Sequence, residues 1–96
     1  MEKAKKVEIV IDSIHLSYLL EKLQKVGVSG YSVFKDVIGM GERGMMAGDE
    51  LTDVFKNSYI FTLCDEETAN KVVEAIRPIL KKYGGICTVS DVLWVK

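Results

Sequence analysis

The apolar residues of this chain change their spacing in a fixed order, and that order limits the folds open to it. Val7 to Ile11 is a short β-branched run, which suits a pleated strand. Leu16, Leu19, Leu20, Leu23 and Val26 then recur at helical spacing. Tyr31 to Ile38 returns to β-branched and aromatic residues. Asp53 to Cys64 does so again, through Val54, Phe55, Tyr59, Ile60, Phe61 and Leu63. Val72, Val73, Ile76, Ile79, Leu80 and Tyr83 restore a helical stripe, and Ile86 to Val95 reads as a last strand. The order is strand, helix, strand, strand, helix, strand.

Local signals place the boundaries. Asp12 or Ser13 can cap a first helix over Ile14 to Val26, and Gly27 suits its C-terminal stop. Asp65 caps the second helix, where Glu66 and Glu67 suit the positive N-terminal end. Pro78 removes one helical hydrogen bond, so a kink or break is expected there. Gly84-Gly85 ends that helix. Met40 to Thr52 has no sustained period, holds three of the eight glycines and reads as an exposed loop. Two strand–helix–strand halves with right-handed crossovers give an α+β, ferredoxin-like βαββαβ sandwich. Its four-stranded antiparallel sheet carries both helices on one face. No remaining element covers the other face, so packing between chains is expected.

Bulk properties narrow the function. Residues 1–96 make one domain, and 48% of them are hydrophobic, enough for a core that self-association would reinforce. Thirteen basic residues against fourteen acidic ones leave no basic surplus to argue for nucleic acid. No apolar stretch is long enough to insert into a bilayer. The charged N-terminus is followed by no signal-peptide pattern, so a cytoplasmic protein is expected. Cys64 and Cys87 form no CxxC pair and read as buried free thiols. No nucleophile–base pair or metal-spaced ligand set is visible, so neither an enzyme nor a metal requirement is expected.

The chemistry-bearing stretch is Gly27 to Gly44, GVSGYSVFKDVIGMGERG. A strand delivers a Gly-rich loop with an arginine. Consecutive backbone N–H groups in such a turn can cradle an anion, and Arg43 supplies a planar fork suited to phosphate.

Val26-Gly27-Val28-Ser29-Gly30-Tyr31-Ser32-Val33 resembles the G-[IVA]-[TS]-G-[MY]-T-V entry to strand 2 in the PII signalling superfamily. Gly39-Met40-Gly41 is similar to the GxG that opens that family's T-loop, and Tyr83-Gly84-Gly85-Ile86 sits where its B-loop lies. The resemblance spans nearly the whole chain. It departs from the nitrogen-regulatory members in several places. Arg43 replaces a glutamine, the B-loop is shortened, a C-terminal RxRTGE is missing, and no tyrosine stands in residues 40–52. Strand 2 is one residue longer, which implies a bulge. These departures resemble the PII-like branch associated with bicarbonate transporters and carboxysomes.

The resemblance implies a homotrimer that binds an adenine nucleotide, ADP or AMP ahead of ATP, at clefts between subunits. It implies phosphate contacts from Gly39, Gly41 and Arg43. It implies a pocket lined by Val10, Ser32 and Thr62, with Gly84, Gly85 and Ile86 from the neighbouring subunit and Lys56 near the effector. It further implies a regulated target protein, such as a membrane transporter for bicarbonate, met through the loop. Met45 and Met46 suit that contact, because adaptable sulfur side chains suit partner surfaces. His15 has no metal-spaced partner and reads as a surface or helix-end residue. Competing readings are an RRM-like RNA-binding module and a ligand-free structural trimer. The first fails because Lys56 to Phe61 lacks the required glycine and aromatic order. An acylphosphatase is rejected because Asp12-Ser13-Ile14-His15 stands where its phosphate cradle belongs.

Overall fold

Strand β1 runs Glu2–Asp12 and continues into a 3-10 turn at Ser13–His15, helix α1 at Leu16–Val26 and strand β2 at Ser32–Val37. Strand β3 (Asn57–Cys64), helix α2 (Glu66–Tyr83) and strand β4 (Ile86–Trp94) complete the chain. These elements come from a computed structural model, which describes residues 1–38 and 56–96. The strands form one antiparallel sheet in the order β2-β3-β1-β4, the ferredoxin-like arrangement. Period-2 alternation decides which side chains meet the helices. Val7, Ile9 and Ile11 of β1, with Ile60 of β3, join Leu19 and Leu23 of α1 and Val72, Ile76 and Ile79 of α2 in the core. The opposite face carries Lys6, Glu8 and Val10, flanked by Tyr59 and Phe61 on one side and Ile86 and Thr88 on the other.

The structure departs from expectation at several places. Strand β1 starts at Glu2 rather than Val7, because its charged first half pairs with β4 from Glu2 opposite Trp94 onward. Lys5 Nζ meets Asp91 Oδ1 at 2.5 Å on that ribbon. This ion pair holds the Asp91 carboxyl below its usual range. Helix α1 begins two residues later than expected. Asp12 caps the preceding 3-10 turn instead, accepting the Ile14 N–H at 3.1 Å. Strand β3 begins at Asn57, and residues 53–55 lie outside the described residues. Helix α2 runs unbroken through Pro78. That residue is exposed, so the carbonyl it leaves without a donor is one turn back on the wet side.

Other signals behave as expected. Gly27 takes φ +97°, and its N–H and that of Val28 donate back to Gln24 and Leu23, a Schellman stop. Asp65 accepts the Thr68 N–H at 2.8 Å, which lowers its pKa. The two cysteines are free. Burial pushes the pKa of both thiols up.

The implied bulge lies in β2. Phe34 opposes Tyr59 and Val37 opposes Asn57, so two residues, Lys35 and Asp36, face the single Ser58. Asp36 absorbs the extra residue at φ +64°, a conformation that Asp tolerates better than most side chains.

Candidate functional site

At one corner of the sheet, the end of β1 meets the turn after α2. Gly84 ends α2 with φ +87°, its N–H donating to the Leu80 carbonyl at 2.8 Å. Gly85 follows at φ +113° and lies so close to β1 that an added Cβ would fall 2.6 Å from the Val10 carbonyl oxygen. Ile86 then pairs with Val10. Three expected site residues, Gly85, Ile86 and Val10, are thus brought together within one chain. Gly84–Ile86 thus lie beside the same chain's own Val10. Ile86 is exposed and lies with Val10 on the face away from the helices.

Ser32 is exposed on that same face but two strands away, opposite Phe61. Thr62 is elsewhere. It is 1% exposed, and its hydroxyl donates to the Gly30 carbonyl at 2.5 Å on the helix side of the sheet. Its side chain anchors the turn that launches β2 rather than lining the corner. We expect Thr62→Val to lower stability by about 1 kcal/mol through the lost hydrogen bond, read as a lower midpoint in urea with an unchanged slope. Lys56 stands just before β3, and its carbonyl accepts the Ser13 N–H at 2.9 Å. Gly39, Gly41, Arg43, Met45 and Met46 lie outside the described residues. Among the described residues no group of side chains could hold a metal ion. The shallow groove lined by Lys3, Lys5, Asp91, Val92 and Leu93 sits at the opposite end of β1, remote from this corner.

The open face also carries an aromatic row invisible as such in the sequence. Phe34, Tyr59 and Phe61 succeed one another at centroid separations of 5.7 and 6.1 Å. Lys6 Nζ lies 4.9 Å from the Phe61 ring centroid. Tyr59 donates its hydroxyl proton to Glu8 Oε2 at 2.6 Å, which pushes its pKa up to about 12. A phenol whose folded pKa is raised holds its proton more tightly when folded. Its contribution to stability is full below the unfolded pKa near 10 and is lost as pH rises toward 12. Ultraviolet titration should therefore show one tyrosine ionising near pH 12. That late step should vanish in Tyr59→Phe and move down in Glu8→Gln.

This sheet, with a Gly-Gly turn seated on its first strand, is that of the nitrogen regulatory protein P-II family. The chain belongs to that family, whose model matches residues 4–96. Its members are regulatory proteins. No curated protein matches the chain. Among solved structures it is similar to CPII from Thiomonas intermedia K12 bound to ADP and bicarbonate. That match has 26% identity and a TM-score of 0.80 over 94% of this chain and 86% of that one. A second CPII structure, bound to ADP, AMP and bicarbonate, gives a TM-score of 0.84 at 23% identity, covering 98% and 94%, and shows the fold. A candidate PII-like signaling protein from Thermus thermophilus matches at 26% identity and a TM-score of 0.76, covering 95% and 88%. These neighbours agree with the PII-like branch. No helix among the described residues is long and apolar enough to cross a membrane.

Proposed function

We propose that this chain is a PII-like sensor of adenine nucleotide. ADP or AMP binds between the subunits of a homotrimer. Gly39, Gly41 and Arg43 meet the phosphates, and Val10, Gly84, Gly85 and Ile86 form one wall. Ser32 and the backbone around Thr62 line the rest of the cleft, and Lys56 lies near the effector. The observation that carries this reading is the Gly84–Gly85 turn on the Val10 carbonyl, in a family whose CPII member is bound to ADP and bicarbonate. Apolar side chains on the open face, Phe34 and Ile86 among them, give subunits a surface to bury. The occupied nucleotide favours one arrangement of the Met40–Thr52 segment over another, and that difference in affinity is the signal. The segment then meets a target protein, a membrane transporter such as one for bicarbonate, through Met45 and Met46. The protein acts in the cytoplasm and catalyses nothing itself.

Ligand-dependent melting tests this reading. A ligand that binds only the folded trimer stabilises it by about 2.7 kcal/mol at a hundred times its dissociation constant. ADP and AMP should raise the melting temperature more than Mg-ATP does, with no need for 2-oxoglutarate. Parallel runs with bicarbonate show whether it joins the nucleotide. A rise seen only with Mg-ATP plus 2-oxoglutarate would assign the chain to the nitrogen-regulatory branch instead. Light scattering should give a trimer, and a stable monomer at micromolar concentration would remove the intersubunit site.

A further inference from the structure

Two rings beside the Gly84–Gly85 turn have no part in the reading above. His15 ends the 3-10 turn after β1, and Tyr83 is the last residue of α2. Their rings stack with centroids 3.9 Å apart and planes inclined by 25°. Tyr83 also packs on the hydrophobic core. Lys82 Nζ lies 5.3 Å from the Tyr83 ring centroid.

His15 is presented from a pinned turn. The Ser13 N–H donates to the Lys56 carbonyl at 2.9 Å. Ser13 Oγ shares a 2.8 Å hydrogen bond with Oγ of the fully buried Ser58. The Ile14 N–H donates to Asp12 Oδ1. From Tyr83 the chain passes directly into Gly84 and Gly85, both at positive φ. Glycines have the widest choice of backbone conformation, so a Gly-Gly turn needs restraint from outside itself. Gly85 touches β1 at Val10 and Ile11, and β1 leads through Asp12 back to His15. The stack adds a side-chain contact to this circuit, beside the Gly84 N–H bond to the Leu80 carbonyl and the pairing of Ile86 with Val10.

We propose that His15 is a positioning residue. Its stack on Tyr83 sets the Gly84–Gly85 turn against β1 in the geometry that nucleotide contact requires. The ligand half of this statement rests on the assignment of Gly84, Gly85 and Ile86 to the nucleotide site. A ring that only covered the core edge would support the whole domain evenly. A ring that positions the turn acts on that turn first.

Amide hydrogen exchange without nucleotide separates these roles, and ADP titration of the same proteins reads the ligand half. In His15→Ala, exchange at Gly84, Gly85 and Ile86 should quicken roughly two- to tenfold, the range expected for one aromatic pair. Amides of Ile9 and Ile60 should be unchanged. ADP affinity should fall by a comparable factor. His15→Phe keeps a stacking ring and should restore both, and Tyr83→Leu should behave as His15→Ala does. Unchanged exchange at the turn in His15→Ala, or equal acceleration across the sheet, would overturn the proposal. Faster exchange at the turn with unaltered ADP affinity would overturn the positioning role and remove Gly84–Ile86 from the site. A wild-type chain that binds no ADP overturns the nucleotide reading, while the exchange result still decides whether the stack holds the turn.

Discussion

Gly85→Val should destabilise the fold by roughly 3 kcal/mol or more, the combined effect of a forced left-handed backbone and a steric clash. The φ of +113° is one that a β-branched residue scarcely adopts. The new Cβ would sit 2.6 Å from the Val10 carbonyl oxygen and 3.2 Å from Leu80 Cδ2. The leucine can shift, but the carbonyl belongs to a strand paired on both sides. Thermal unfolding should register this as a fall in melting temperature on the order of 15 °C, given the usual dependence for a domain of this size. Gly27→Ala is the matched control. Its φ is +97°, but nothing lies within 4 Å of an added Cβ, so only backbone strain of about 1 kcal/mol remains. Equal losses in the two variants would show that the close approach of Gly85 to β1 contributes nothing.

Arg43→Ala should weaken ADP binding roughly tenfold to a hundredfold, as expected when one charge-assisted hydrogen bond to phosphate is lost. Arg43→Lys should recover part of the loss, since it restores charge without the two-pronged geometry. Calorimetric titration of the three proteins gives the comparison, with light scattering to verify that the oligomer is intact. An unchanged dissociation constant in Arg43→Ala would mean that the phosphates are held elsewhere.

The elements were legible in the sequence where burial enforces a period. Leu19 and Leu23 on α1, and Val72, Ile76 and Ile79 on α2, are core residues because helical spacing keeps them on one face. The bulge in β2 was legible as one extra residue before Gly39, and Asp36 is where it falls. The first half of β1 was not legible. Glu2, Lys3, Lys5 and Lys6 have poor strand propensity, and their partners on β4 lie at the far end of the chain. Thr62 was placed on the right strand, but its hydroxyl serves Gly30, a partner that only the folded sheet supplies. The turn at Gly84–Gly85 was legible as a helix stop, whereas its seat on Val10 is a tertiary fact. His15 precedes α1 and Tyr83 ends α2, far apart in sequence, and no local pattern joins them. A period-2 signal on the open face was diluted by Lys6, Glu8 and Ser32, so the aromatic row emerges only from the register of β2, β3 and β1.

Isothermal titration of the purified chain with ADP tests the central claim most directly, because it reports occupancy and stoichiometry together. Saturable binding of one ADP per subunit, three per trimer, is the expected result, reached without added 2-oxoglutarate. An absence of binding up to millimolar ADP, with the trimer intact, would contradict the sensor reading and leave a structural assembly in its place.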